Sequence, residues 1–175
     1  MRSCVLLVLM LIISMASPAS AYVDNGVKWQ YGFAIVIKDA SIPSAWSNSL
    51  TQSMSAWNNA GADFYFYWIG GTDNKLYYKS LGEGSTLAIA HRTYVGDYMI
   101  KCTTDFNNDQ NWSTTGEAGK FDVQSVATHE FGHWLSLGHS SNTEATMYPT
   151  VATGETKKRT LHSDDIAGII HIYGE

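Results

Sequence analysis

Cysteine is scarce in this chain: its 175 residues include only Cys4 and Cys102. Cys4 belongs to the opening stretch "MRSCVLLVLMLIISMASPASA", which has one basic residue (Arg2), an unbroken apolar run from Val5 to Ile13, and small residues ending in Ala19-Ser20-Ala21. That pattern predicts a secretory signal peptide over residues 1–21, leaving a mature domain over 22–175. Long apolar runs are lacking too. The Val5–Ile13 run falls well short of the roughly 20 apolar residues that span a bilayer, which argues against a stable membrane association and for a secreted, extracellular protein. With Cys4 removed, Cys102 has no partner for an internal disulfide. In the strand-like "YMIKCTTDF" it reads as a buried small hydrophobe.

Positive charge is also sparse. Lys and Arg number 11 against 16 acidic residues, and the formal charge of −5 becomes −6 without Arg2. The one basic cluster, Lys157-Lys158-Arg159, falls in a loop-like stretch where solvation accounts for it, so no nucleic-acid partner is expected. No internal repeat, low-complexity segment or linker divides the chain, and its length suits one domain, expected to be a monomer.

What is present is patterned. From Tyr22 to about Lys38 the β-branched and aromatic residues of "VKWQYGFAIVIK" predict a first strand. Pro43 then opens a helix on which Ile42, Trp46, Leu50, Met54 and Trp57 recur at helical steps, giving one apolar face to pack on a sheet. The segments "ADFYFYWIGG", "KLYYKSLG", "STLAIAHRTY" and "DYMIKCTTDF" read as further strands. After a polar loop, Phe121 to Leu137 resume a helical pattern through Val123, Val126, Ala127 and Phe131. An irregular segment follows, and "LHSDDIAGIIHIYG" closes the chain as a helix with Asp164 and Asp165 in its first turn.

Half of the six histidines fall within "HEFGHWLSLGHS", from His129 to Ser140. At about 100° per residue, His129 and His133 stand roughly 40° apart on one helix face, where two imidazoles can share an ion. Continued helix would turn His139 about 280° away from His129, so the helix must stop first. Gly138 and Ser136 are the two places where the chain can leave helical geometry. Three neutral nitrogen ligands leave the fourth position of a zinc ion open to water, as catalytic sites do. Glu130 is placed beside that water as a proton acceptor.

"TMYP", Thr146 to Pro149, places Met147 eight residues after His139. Together with "VATHEFGH", "LGHS" and the final "LHSDDIAGIIHIYG", it resembles the metzincin metallopeptidases, whose pattern is H-E-x-x-H-x-x-G-x-x-H with a methionine turn, and within them the matrixin branch. The resemblance implies an α+β fold: a twisted, mostly parallel five-stranded sheet with an antiparallel edge strand, packed on helices, with a zinc-binding helix, a methionine turn and a C-terminal helix. It implies His129, His133 and His139 as ligands of one catalytic zinc, Glu130 as general base and later proton donor, and Met147 as the structural turn residue. Leu87 and Ala88 are implied as edge-strand groups that pair with an extended protein or peptide substrate, and Pro149 as part of a specificity-pocket wall.

Departures from the pattern are as informative. Ser136 stands where the motif has glycine, and positive φ there costs a serine on the order of 1 kcal/mol. A cysteine-bearing pro-segment is not expected, since about eight residues separate Ala21 from Trp29. The remaining His91, His162 and His171 do not supply a second zinc site. Family members commonly bind calcium, and "DFNNDQ" offers Asp105, Asn107 and Asp109, but Gln110 replaces the glycine of an EF-hand, so calcium has no clear motif here. Secreted zinc endopeptidase is the leading expectation. A weakly catalytic zinc-containing binding module, or a zinc amidase acting on a non-protein amide, would use the same residues.

Overall fold

The computed structural model describes residues 21–174. The expected signal peptide, apart from Ala21, lies outside the described residues. The elements run β1 (Val23–Asp24), β2 (Lys28–Trp29), β3 (Phe33–Lys38), α1 (Ser47–Asn58), β4 (Tyr65–Trp68), β5 (Lys75–Lys79), β6 (Ala88–Val95), β7 (Tyr98–Asn107), β8 (Trp112–Ser113), β9 (Phe121–Asp122), α2 (Val123–Trp134), β10 (Leu137–Gly138) and α3 (Ser163–Tyr173). Short 3-10 turns occupy Ser44–Trp46 and Lys157–Arg159.

The central sheet has the order β2-β7-β5-β3-β4, with every neighbour in that path parallel. β6 runs antiparallel along β7 as an edge strand. Apart from the two-residue β2, this is the expected five-stranded, mostly parallel sheet with one antiparallel edge. Alternation along β3 and β4 explains its two faces: Ala34, Val36 and Phe66 are buried, whereas Phe33, Tyr65 and Tyr67 are exposed. Ile42, Trp46, Leu50, Met54 and Trp57 are all buried, as the helical spacing predicts. α1 is keyed to α2 by polar contacts as well, since Trp57 Nε1 donates to the Thr128 carbonyl at 2.8 Å and Ser53 Oγ to the Gln124 carbonyl at 3.0 Å.

The expected single strand from Tyr22 to Lys38 is instead three short pieces. Gly26 and Gly32 break it, with φ of 76° and 66°, and a Cβ at Gly32 would lie 2.8 Å from the Asp63 carbonyl oxygen. A turn made of backbone approach leaves no hydrophobic-pattern signal. The first piece, β1, pairs antiparallel with β10, so the start of the described chain is stitched directly to the loop carrying His139. Ala21 and Tyr22 N–H groups donate to Asp164 Oδ1 at 2.7 and 3.1 Å.

Candidate functional site

α2 begins with Asp122, fully buried, whose Oδ1 accepts the Ser125 N–H at 2.8 Å. Arg159 closes on the same carboxylate at 2.6 and 3.0 Å. The helix therefore starts at a fixed point, and its next two turns bring His129, Glu130 and His133 to the wall of a cavity of about 620 Å³.

After Trp134 the helix stops, and Ser136 takes a φ of 75°. Of the two candidates for the break, it is Ser136 that enters the left-handed region; Gly138 lies in β10, where a Cβ would come within 3.0 Å of Val23. Ser136 occupies the position after the helix cap that glycine usually fills. Three contacts hold it there: its carbonyl accepts the Asn25 N–H and Nδ2 at 3.0 and 2.8 Å, and its hydroxyl the Val27 N–H at 3.4 Å. The left-handed residue swings His139 back, and the ligand nitrogens of His129, His133 and His139 all lie within 4.8 Å of one another. Among the described residues no other group of three or more His, Cys, Asp or Glu converges in this way.

The donor chemistry of this cluster suits zinc. His129 Nδ1 meets the Thr146 carbonyl and His133 Nδ1 the Leu137 carbonyl, each at 2.8 Å. A carbonyl only accepts, so both Nδ1 atoms carry the proton and both Nε2 lone pairs are left for a metal. Burial pulls the pKa of His129 well below the usual imidazole value and that of His133 to about 4, with neighbouring cations pushing the same way and the two carbonyls opposing. His139 is lowered as well, by burial and then by Lys158. All three are therefore neutral at pH 7, the form that ligates. His139, which follows the left-handed turn at Ser136, is the exposed member of the three.

Met147 is fully buried beneath the helix. A Cβ added at Gly132 would lie 2.2 Å from its sulfur and 2.9 Å from Trp57 Cζ2, so the glycine between His129 and His133 is what lets the turn at Met147 seat against α2. The turn is fixed from α3: Asp165 accepts the N–H groups of Thr146, Met147 and His162 at 2.8, 3.0 and 2.9 Å. Ser140 adds a second tie through Asp164 at 2.7 Å. Asp164 and Asp165 were expected as helix-terminus charges; they also hold the segment from Ser140 to Met147, a role that local sequence patterns cannot express.

Glu130 is buried beside the cluster, and its Oε2 has no hydrogen-bond partner. Burial pushes its carboxyl up to about 8 against the Ala90 N–H and Lys158, which favour the ionised form. Leu87, Ala88 and Pro149 all line the same cavity. The Leu87 carbonyl, however, accepts the Asn107 N–H of β7 at 2.9 Å, so alternation along the antiparallel ladder turns the Ala88 and Ala90 backbone groups outward. Of the two expected edge-strand residues, Ala88 is thus the one with backbone polar groups toward the cleft.

One expectation fails. Lys157-Lys158-Arg159 is not a solvated cluster: Lys158 is 2% exposed, and Arg159 is tied to Asp122. Lys158 and Arg92 are both lining residues of the cleft that sequence reasoning missed. Nothing in a K-K-R triplet within an irregular segment marks its middle residue as buried. Cys102 is buried as expected, His91 stands 2.8 Å from Asp105, and His162 caps α3. The oxygens offered for calcium are engaged separately, Asp105 by Lys79 and His91, and Asp109 by Ser80 and Gly82.

A family model described as matrixin matches residues 37–174. The chain belongs to the matrixin family. Human matrilysin is 39% identical over 94 residues, which are 54% of this chain and 34% of that protein. Metalloendoproteinase 2-MMP of Arabidopsis thaliana is 47% identical over 73 residues, 38% of this chain and 19% of the relative. Metalloendoproteinase 1 of Glycine max is 45% identical over 75 residues, 39% and 24% respectively. These matches span a fifth to a third of each relative's length, so the likeness to this matrixin concerns a catalytic-type domain.

Proposed function

We propose that this matrixin is a secreted zinc endopeptidase, in which His129, His133 and His139 hold one zinc ion and Glu130 moves the proton. The observation that carries the reading is the buried, unpartnered Oε2 of Glu130 beside three neutral imidazoles with free lone pairs. Zinc, when bound, supplies a Lewis acid for the scissile carbonyl and makes water more acidic.

The protein's own groups do the rest. Glu130 takes a proton from the attacking water and returns it to the leaving amine, and its unpartnered Oε2 is the atom free to hold that proton in between. The outward backbone groups of Ala88 lie where an extended peptide can add to the sheet edge, and Pro149 walls the pocket that receives a side chain. Protein or peptide is therefore the proposed substrate class. Export is the proposed role of residues 1–21, with Tyr22 as the first residue of the mature chain.

The test is a mass-spectrometric cleavage profile of an unfolded protein substrate. Internal cuts that vanish on chelation and return with added zinc are expected. Hydrolysis that persists in chelator contradicts the proposal, and release of product only from non-peptide amides transfers it to an amidase.

A further inference from the structure

We infer that Lys158 makes the pocket beside the histidines a recognition site for an acidic substrate side chain, so that this chain prefers glutamate or aspartate next to the scissile bond. The inference rests on the endopeptidase reading and deepens it.

Lys158 lines the cavity while its side chain is almost wholly removed from solvent. An ammonium carries three donors; one goes to the Tyr148 carbonyl, at the base of the wall that continues through Pro149 and Val151. Among the described residues no carboxylate forms an ion pair with it. A buried cation that lacks a paired anion is costly, and such a group is stabilised when a ligand brings the missing charge.

The rest of the lining agrees. A chain whose formal charge is −5 places two cations, Lys158 and Arg92, against a single carboxylate, Glu130, in this cleft. Arg92 Nη1 is itself buried without a partner. Low-dielectric walls such as Val126 and Phe121 strengthen the field that these cations project into the cavity. Burial brings the Lys158 ammonium down to about 8, with Lys157 acting the same way and Glu155, Asp165 and Glu130 opposing, so it is still charged at pH 7. An apolar side chain would leave that charge buried and unanswered, whereas a carboxylate of glutamate length forms a charge-assisted hydrogen bond.

The experiment measures binding apart from turnover. Zinc-loaded Glu130→Ala protein is titrated, by intrinsic tryptophan fluorescence, with alanine-glycine hexapeptides carrying one central Glu, Gln or Leu. The Glu peptide is expected to bind about tenfold tighter than the other two, with the margin shrinking at high salt. Lys158→Met should abolish the margin and Lys158→Arg should retain it, each variant being checked by thermal melting. Equal affinities, no measurable binding by any of the three, or a Glu preference that survives in folded Lys158→Met, overturns the inference. Wild-type cleavage of the same peptides separates the two claims. Cutting without regard to the acidic residue sinks the selectivity alone, while acid-selective binding without any cutting sinks the endopeptidase reading alone.

Discussion

The two walls of the cleft are built on different terms. The β6 wall presents backbone, with Ala88 and Ala90 turning their peptide groups outward while small side chains stay out of the way. The opposite wall presents side chains, two of the histidines clamped from behind: His129 by Thr146, His133 by Leu137, and the turn under them by Asp165. The difference teaches where substitution should matter. Side chains on the strand wall, Arg92 apart, are largely interchangeable so long as the ladder forms, whereas the helix wall fails at any change of volume, charge or backbone freedom.

The largest expected change of stability strikes the helix wall at Gly132. A methyl group there meets Met147 and Trp57, so Gly132→Ala should destabilise by about 2–3 kcal/mol and weaken zinc retention, as read by denaturant unfolding and bound-metal analysis. Glu130→Gln should act in the other direction on the metal-free protein. A carboxyl whose folded pKa is raised from 4.5 to about 8 contributes fully below pH 4.5 and loses that contribution as pH rises toward 8. The amide escapes this loss, giving a gain on the order of 2 kcal/mol at pH 7 that disappears near pH 4.5. Unfolding curves at the two pH values check it.

On the strand wall, Ala88→Pro removes an outward N–H and leaves the β7 ladder intact. It should lower kcat/KM by about tenfold with an unchanged melting temperature, since one substrate hydrogen bond is lost. The smallest effect belongs to the junction between the walls: Ser136→Gly relieves the left-handed strain and should stabilise by about 1 kcal/mol, less the weak bond to Val27. An equal gain from Leu137→Gly would show that strain at residue 136 is not the cause.

The sequence made the helix wall legible because its information is local. Spacing places His129 and His133 on one face, a break is required before His139, and the apolar periodicities of α1, α2 and α3 locate the layers. What it withheld is tertiary. That Ser136 and not Gly138 turns left-handed depends on Asn25 and Val27 holding its carbonyl and hydroxyl. That Lys158 is buried depends on the Tyr148 carbonyl drawing its ammonium inward, and that Asp165 fixes the methionine turn depends on a contact across 18 positions of chain. The broken first strand belongs to the same class, since only the approach of Asp63 reveals why Gly32 must turn.

The central claim is that Glu130 moves the proton at a three-histidine zinc site. Its most direct test is the rate of peptide hydrolysis per bound zinc for wild type and Glu130→Ala at pH 7. Equal zinc content with a rate at least about a thousandfold lower in the variant is the predicted result. Comparable rates per zinc in the two proteins would contradict it.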